Sequence, residues 1–254
     1  MRLILIHEFA KEYTMSDQSA SPITTRLKND NWDLHQIAER GGTPESMIKG
    51  TITREGFADY LSQSVHIHRA LDVALFKAIV AMPELAPLVK ESEFFDQHFS
   101  ADLAYYNATP ATDLLPGVAR FVDHINTHAD QPLHTFGLHY VRLGACNGNR
   151  FVARKLRSVF GITDPAAGMM SQDPFGEAQR TQWAEFKEGL DALDLNDAQR
   201  DELFDGTRAA YLLTINMDHD EFQSAEQLLK DHGKSLDREV FEQGHSVHVP
   251  ASTN

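Results

Sequence analysis

Lys28-Asn-Asp-Asn-Trp-Asp-Leu-His-Gln-Ile-Ala-Glu39 has the spacing of an amphipathic helix that carries chemistry along its polar side. Ile23, Leu27, Leu34, Ile37 and Ala38 recur at helical steps and define the side that is buried. Lys28, His35 and Glu39 lie seven and four residues apart, which at 3.6 residues per turn puts them on one stripe. A cation, an imidazole and a carboxylate in line on a half-apolar helix have the layout of a heme-facing surface. The imidazole can ligate iron, the carboxylate can orient or polarise its far nitrogen, and the cation can reach a propionate. A solvated or hydrogen-bonded histidine has the same spacing, so both readings stand at this point.

The pattern stays helical along the chain. Ser21-Pro22 starts the first helix and Gly41-Gly42 ends it. A longer helix begins near Thr53, carries Phe57, Leu61, Val65, His68, Leu71, Leu75 and Ala78 at three- and four-residue steps, and stops at Pro83. Further helices are expected over about 92–107, 111–128, 133–160 and 174–193. Asn196 and Gln199 form a capping-box start for a last helix that runs towards Leu229. Strand-like alternation, internal repeats and Pro- or Gly-rich linkers do not occur. The expectation is one all-α domain, a multi-helix bundle over 21–232, with a disordered arm at 1–20 and a loose tail at 233–254.

Composition narrows the function classes. Hydrophobic residues make up 42%, enough for a packed core, and no apolar run is long enough to cross a bilayer. The apolar patch at Met1–Leu5 is too short for a secretory signal. Met15 and the polar run after it read as an ordinary protein start, which makes residues 1–14 an upstream extension or a disordered arm. A single cysteine, Cys146, excludes an intramolecular disulfide framework and any Cys-only metal site, and fits a cytoplasmic protein. A net charge of −14 argues against a nucleic-acid partner. Arg150, Arg154, Lys155 and Arg157 cluster positive charge, either as a solvated helix face or as a docking site.

The helix at 133–160 holds Gly144 and Gly148 in its middle. Each glycine there costs about 1 kcal/mol relative to alanine, and together they bare the backbone along one face. Close helix–helix packing is one explanation. The other is a flat ligand lying on the backbone, with the helix kinked over it. Heme is the obvious flat ligand when another helix offers an imidazole, and Gly144, Ala145 and Gly148 would leave room for a dioxygen-sized group on its iron.

Five segments in order resemble the heme oxygenase family. His-Gln-Ile-Ala-Glu at 35–39 resembles the proximal His-x-x-Ala-Glu motif, and Lys49-Gly-Thr-Ile-Thr-Arg-Glu-Gly-Phe57 resembles the turn and helix start that follow it. Ala101-Asp-Leu-Ala104 resembles a segment of the middle helix. Gly144-Ala-Cys-Asn-Gly148 sits where the family has its glycine-rich distal helix, and Ala209-Ala-Tyr-Leu-Leu213 resembles a segment of the last helix. The resemblance implies heme between the first helix and a kinked distal helix, His35 on iron and Glu39 as its outer partner. It implies Lys28, Tyr140 and Lys187 as propionate partners, with Gly144 and Gly148 lining the distal face. It further implies dioxygen as co-substrate, an external electron donor such as a ferredoxin or a flavin reductase, and biliverdin, carbon monoxide and ferrous iron as products.

The sequence departs from the animal-type pattern, which has an aspartate after the first distal glycine; here that position is Ala145, and the second glycine of a later pair is Asn149. Certain bacterial members also lack that aspartate. Asn147, Asn149 or Arg142 could then hold water on the oxygen side.

Other groups compete with this reading. His124 and His128 are four apart, the spacing of a two-histidine metal edge, but no carboxylate motif completes them and a surface pair explains them. His66 and His68 straddle a helix face, with His68 in the apolar stripe as a core histidine. Asp218, His219 and Asp220 read as an exposed turn, and Cys146 as a small buried filler. A non-heme iron oxidase on the same fold, and a non-catalytic heme carrier or sensor, are the alternative functions.

Overall fold

The computed structural model describes residues 21–232, so the expected arm and tail lie outside the described residues. Ten α-helices are present among the described residues: α1 Ile23–Asp30, α2 Trp32–Ala38, α3 Gly42–Lys49, α4 Arg54–Ala81, α5 Asp96–Tyr105, α6 Pro116–Thr127, α7 Pro132–Phe160, α8 Gln179–Asp191, α9 Asp197–Ile215 and α10 Ala225–His232. No strand occurs among them. None of these helices is long and apolar enough to cross a membrane.

Local chemistry sets most boundaries. The Thr53 side chain accepts from the Gly56 amide at 3.0 Å to start α4, and Pro83 follows its end. Pro116 and Pro132 open α6 and α7, where a missing N–H costs nothing. α7 closes on Gly161 at φ +67, a left-handed position that suits glycine. Asn196 and Gln199 form the expected capping box of α9.

Asparagine side chains break two helices where apolar periodicity continues. The expected first helix divides at Asn31, whose Nδ2 donates to the Leu27 carbonyl at 2.9 Å and competes with the backbone ladder. The expected last helix divides at the buried Asn216. Its Oδ1 accepts from the Gln223 amide at 2.6 Å while its Nδ2 donates to the Leu212 carbonyl at 2.8 Å. Helix α3 was not expected either. Gly41 and Gly42 adopt φ +80 and +57, so the pair that ends one helix also begins the next, with the Thr43 amide donating to Asp218 Oδ2 at 2.8 Å. The turn at 218–220 thus has a structural task.

α7 packs along α9 and α4. Its tightest approach to α9 is at Gly137 and Gly206. A Cβ on Gly206 would lie 2.1 Å from the His134 carbonyl oxygen, and one on Gly137 would lie 2.4 Å from that of Leu203. Both are backbone atoms that cannot give way, so these glycines serve close helix packing. Phe57, Leu61, Leu75, Phe99, Phe136 and Leu203 fill the surrounding core.

A buried polar network joins α7 to α4 and to the 3-10 turn at Glu91–Glu93. Arg142 Nη1 donates to Asp72 Oδ1 at 2.6 Å and Nη2 to the Glu93 carbonyl at 2.9 Å. Arg142 also donates to His139 Nδ1, at 3.0 Å from Nη2, which leaves His139 Nε2–H to donate to Glu93 Oε2 at 3.1 Å. Burial, then the Arg142 charge, lowers the His139 pKa against the pull of Glu93, so this imidazole is neutral.

Candidate functional site

His35 sits in the middle of α2 with its ring held on two sides. Trp32, one turn earlier, stacks on it with centroids 5.1 Å apart, and Tyr211 of α9 meets it edge-on at 5.8 Å. Its Nδ1 is sealed from solvent and has no hydrogen-bond partner; Glu39 Oε1 approaches to 3.9 Å. The side chain is nevertheless 38% exposed, so part of it away from Nδ1 is open to solvent. Desolvation of the inner edge lowers the His35 pKa, Glu39 raises it and Lys28 lowers it further. Neutral imidazole, the ligating form, is therefore favoured at physiological pH.

The division at Asn31 changes how Lys28 reaches this group. Lys28 lies in the last turn of α1, and its Nζ lies 5.6 Å from the Trp32 ring centroid. The straight stripe becomes a relay: ammonium over indole, indole on imidazole, imidazole beside carboxylate. Trp32 Nε1, on the ring that stacks on His35, is also buried without a partner.

The second part of the site lies on α7. The Tyr140 hydroxyl donates to the Thr24 carbonyl at 3.4 Å, and burial pushes its pKa up, so it stays protonated. Trp183 of α8 stands 5.1 Å from the Tyr140 ring and would meet a Cβ on Gly144 at 3.5 Å, an ordinary contact. Lys187 lies over Trp183, with Nζ 5.4 Å from the ring centroid. A Cβ on Gly148 would meet nothing within 4 Å. Close helix packing therefore does not account for Gly144 and Gly148, because Gly137 and Gly206 perform it.

Thr24 ties the two parts together. Its amide and hydroxyl both donate to Asp191 at 2.8 Å, which fixes α1 to α8, and its carbonyl receives Tyr140 from α7. The structure thus brings Lys28, His35 and Glu39 into one group, and Tyr140, Gly144 and Lys187 into another around Trp183. Gly148 stands apart with a bare outer face.

Two of the three polar residues considered for the oxygen side are engaged elsewhere. Arg142 is only 7% exposed and turned into the core network. Asn147 Nδ2 donates to the Gly144 carbonyl at 3.0 Å, and Gln179 Nε2 lies 3.3 Å from Asn147 Oδ1. Cys146 is 1% exposed, its thiol pKa pushed up to about 12 by burial, as a core filler requires. His68 stacks on Phe99 at 4.2 Å inside the apolar stripe. Arg150 and Arg157 both approach Asp173 at 3.5 Å, so part of the basic cluster is paired within the molecule.

Trp32, Trp183 and Tyr211 were not singled out from sequence. Trp32 lies one helical turn from His35 and could have been found by the same spacing argument. Tyr211 and Trp183 arrive from α9 and α8, and only the tertiary fold brings them here.

Known proteins with this architecture point one way. The heme oxygenase family model matches residues 21–220. Heme oxygenase 1 of Pongo abelii is 21% identical over 225 residues, covering 86% of this chain and 76% of that protein. The solved heme oxygenase of Leptospira interrogans superposes with a TM-score of 0.69 at 16% identity, over 79% of this chain and 100% of that one. Heme oxygenase-1 from the cyanobacterium Synechocystis, solved in complex with heme, gives 0.69 at 15% identity, over 85% and 97%. At these identities the solved structures establish a shared fold, while the family match spans most of the sequence: the chain belongs to the heme oxygenase family.

Proposed function

We propose that this chain is a heme oxygenase that opens heme to biliverdin, carbon monoxide and ferrous iron, with dioxygen and electrons from a ferredoxin or flavin reductase, in the cytoplasm. The observation that carries this reading is a neutral His35 whose ring is partly exposed while its Nδ1 is sealed, on a chain whose α7 also has a bare face at Gly148. Heme, when bound, supplies both the redox iron and the porphyrin carbon that is oxidised. His35 would hold the iron, and Glu39, on the Nδ1 side, would orient the ring and take up the unpaired Nδ1–H. Lys28 at the end of α1 and Lys187 on α8 offer cations to propionates. Tyr140 can add its hydroxyl by exchanging its long bond to Thr24. Gly144 and Gly148 leave space at the backbone. With Arg142 and Asn147 engaged, Asn149 and the α7 backbone are the groups left to hold water there.

A non-heme iron oxidase needs free inward carboxylates, but those of the core are taken. Asp72 meets Arg142, Glu93 meets His139, and Asp102 accepts from the amides of Met170 and Ser171 at 2.8 and 2.7 Å. Ala145 favours a carrier or sensor as the second reading, since it offers no polar side chain to the distal face.

Gly148→Leu tests the distal assignment. The added Cβ meets nothing within 4 Å, and helix propensity alone favours the change by up to about 1 kcal/mol. The variant should therefore melt at or above the parent temperature without heme, yet bind heme or form its oxygen complex poorly. A variant that is more stable and degrades heme at the parent rate shows that Gly148 does not face the ligand.

A further inference from the structure

Three histidines from consecutive elements meet at the α6–α7 junction. His124 lies in the last turn of α6, His128 caps that helix, and His134 lies in the first turn of α7. One ring nitrogen from each lies within 4.8 Å of the other two. His124 Nε2 and His134 Nε2 face each other at 2.9 Å, and the His128 ring stacks on both, with centroids at 4.1 and 4.5 Å. His124-x3-His128 was legible as a metal edge. The third member follows the break between two helices, so sequence spacing does not link it to the other two.

We propose that His124, His128 and His134 form a three-histidine site for a divalent transition-metal ion of the zinc class, separate from the surface that carries His35. Two imidazole nitrogens on a tetrahedral zinc lie about 3.3 Å apart, given Zn–N bonds of about 2.0–2.1 Å. The facing Nε2 pair is already close to that spacing, and a nitrogen of the third ring lies within 4.8 Å of both. The tautomers suit ligation as well. His128 Nδ1 lies 2.8 Å from the His124 carbonyl, which can only accept, so Nδ1 carries the proton and Nε2 keeps its lone pair. That bond is the outer-shell contact that typically orients a ligating histidine.

The charges around the cluster favour a cation. A metal would displace the proton shared between the facing Nε2 atoms of His124 and His134, while Asp123 supplies a carboxylate beside His124. Glu202 Oε1 receives the amides of Leu133 and His134 at 2.8 and 3.2 Å, holding the start of α7 in place and adding negative charge nearby. His124 and His128 are partly exposed, which leaves room for water as fourth ligand. His134 and Gly144 are ten residues apart on α7, about 15 Å along the axis. A metal here would clamp α6 to α7 well away from the bare glycine face.

The test is zinc binding by the full chain, read with a chromophoric chelator competitor. One equivalent should bind, and the melting midpoint should rise with it. His124→Gln and His128→Gln, both at partly exposed positions, should each weaken binding by more than about 100-fold, beyond the cost of losing an outer partner. His35→Ala should leave binding unchanged. Retained affinity in the two glutamine variants, or its loss in His35→Ala, overturns the assignment. Zinc-edge X-ray absorption on the parent protein checks it without any variant: three imidazole ligands are expected, and one or two refute it.

Discussion

His35→Ala should lower heme turnover by more than about 100-fold, a larger loss than removal of an outer-shell partner brings. The ferric heme spectrum of the variant should lose its histidine-ligated form and regain it when imidazole is added, because the cavity left between Trp32 and Tyr211 has the shape of the missing ring. The polypeptide should stay folded. The side chain is more than a third exposed and makes no hydrogen bond through Nδ1, so little packing is lost. An unchanged heme spectrum with parent-level turnover would remove His35 from the iron and undo the proximal half of the site.

Arg142→Met should cause a larger loss of stability than His35→Ala or Gly148→Leu. The guanidinium bonds to Asp72 and to the Glu93 carbonyl, it lies over the Phe95 ring at 4.6 Å, and Glu93 itself is 1% exposed. Methionine fills similar volume but leaves the buried Asp72 carboxylate without its cation and the Glu93 carbonyl and His139 Nδ1 without their donor, which costs about 3–5 kcal/mol. For a chain of this size that is a fall in melting midpoint of roughly 10 °C. Calorimetry on the heme-free protein measures it. Were Arg142 a distal residue instead, stability would hold and turnover would fall, so the two roles separate on different observables.

Helix limits set by local chemistry were legible in the sequence. Thr53 and Pro83 bound α4, Asn196 and Gln199 open α9, and the long helix through Gly144 and Gly148 runs over Pro132–Phe160 against an expected 133–160. Asn31 and Asn216 were not legible as breaks, because apolar periodicity continues across both and only their side-chain bonds to the backbone interrupt the helix. The Gly137–Gly206 crossing was invisible for another reason: two unremarked glycines in separate helices acquire meaning only when the helices meet. In the site, spacing alone grouped Lys28, His35 and Glu39. It could not show that Lys28 acts through Trp32, nor that Tyr211 closes the far side of the imidazole. Nor could it show that Arg142, two residues before Gly144, turns inward to Asp72 and away from the glycine face.

The central claim, that this chain oxidises the heme it binds, is tested most directly by one spectrum followed in time. The full chain is mixed with one equivalent of hemin in air, a reductant is added, and the visible absorption is recorded with catalase present to remove free peroxide. The account predicts decay of the heme band and growth of a biliverdin band. A heme band that persists as a stable ferric or oxygen-bound complex would contradict it and make the protein a carrier.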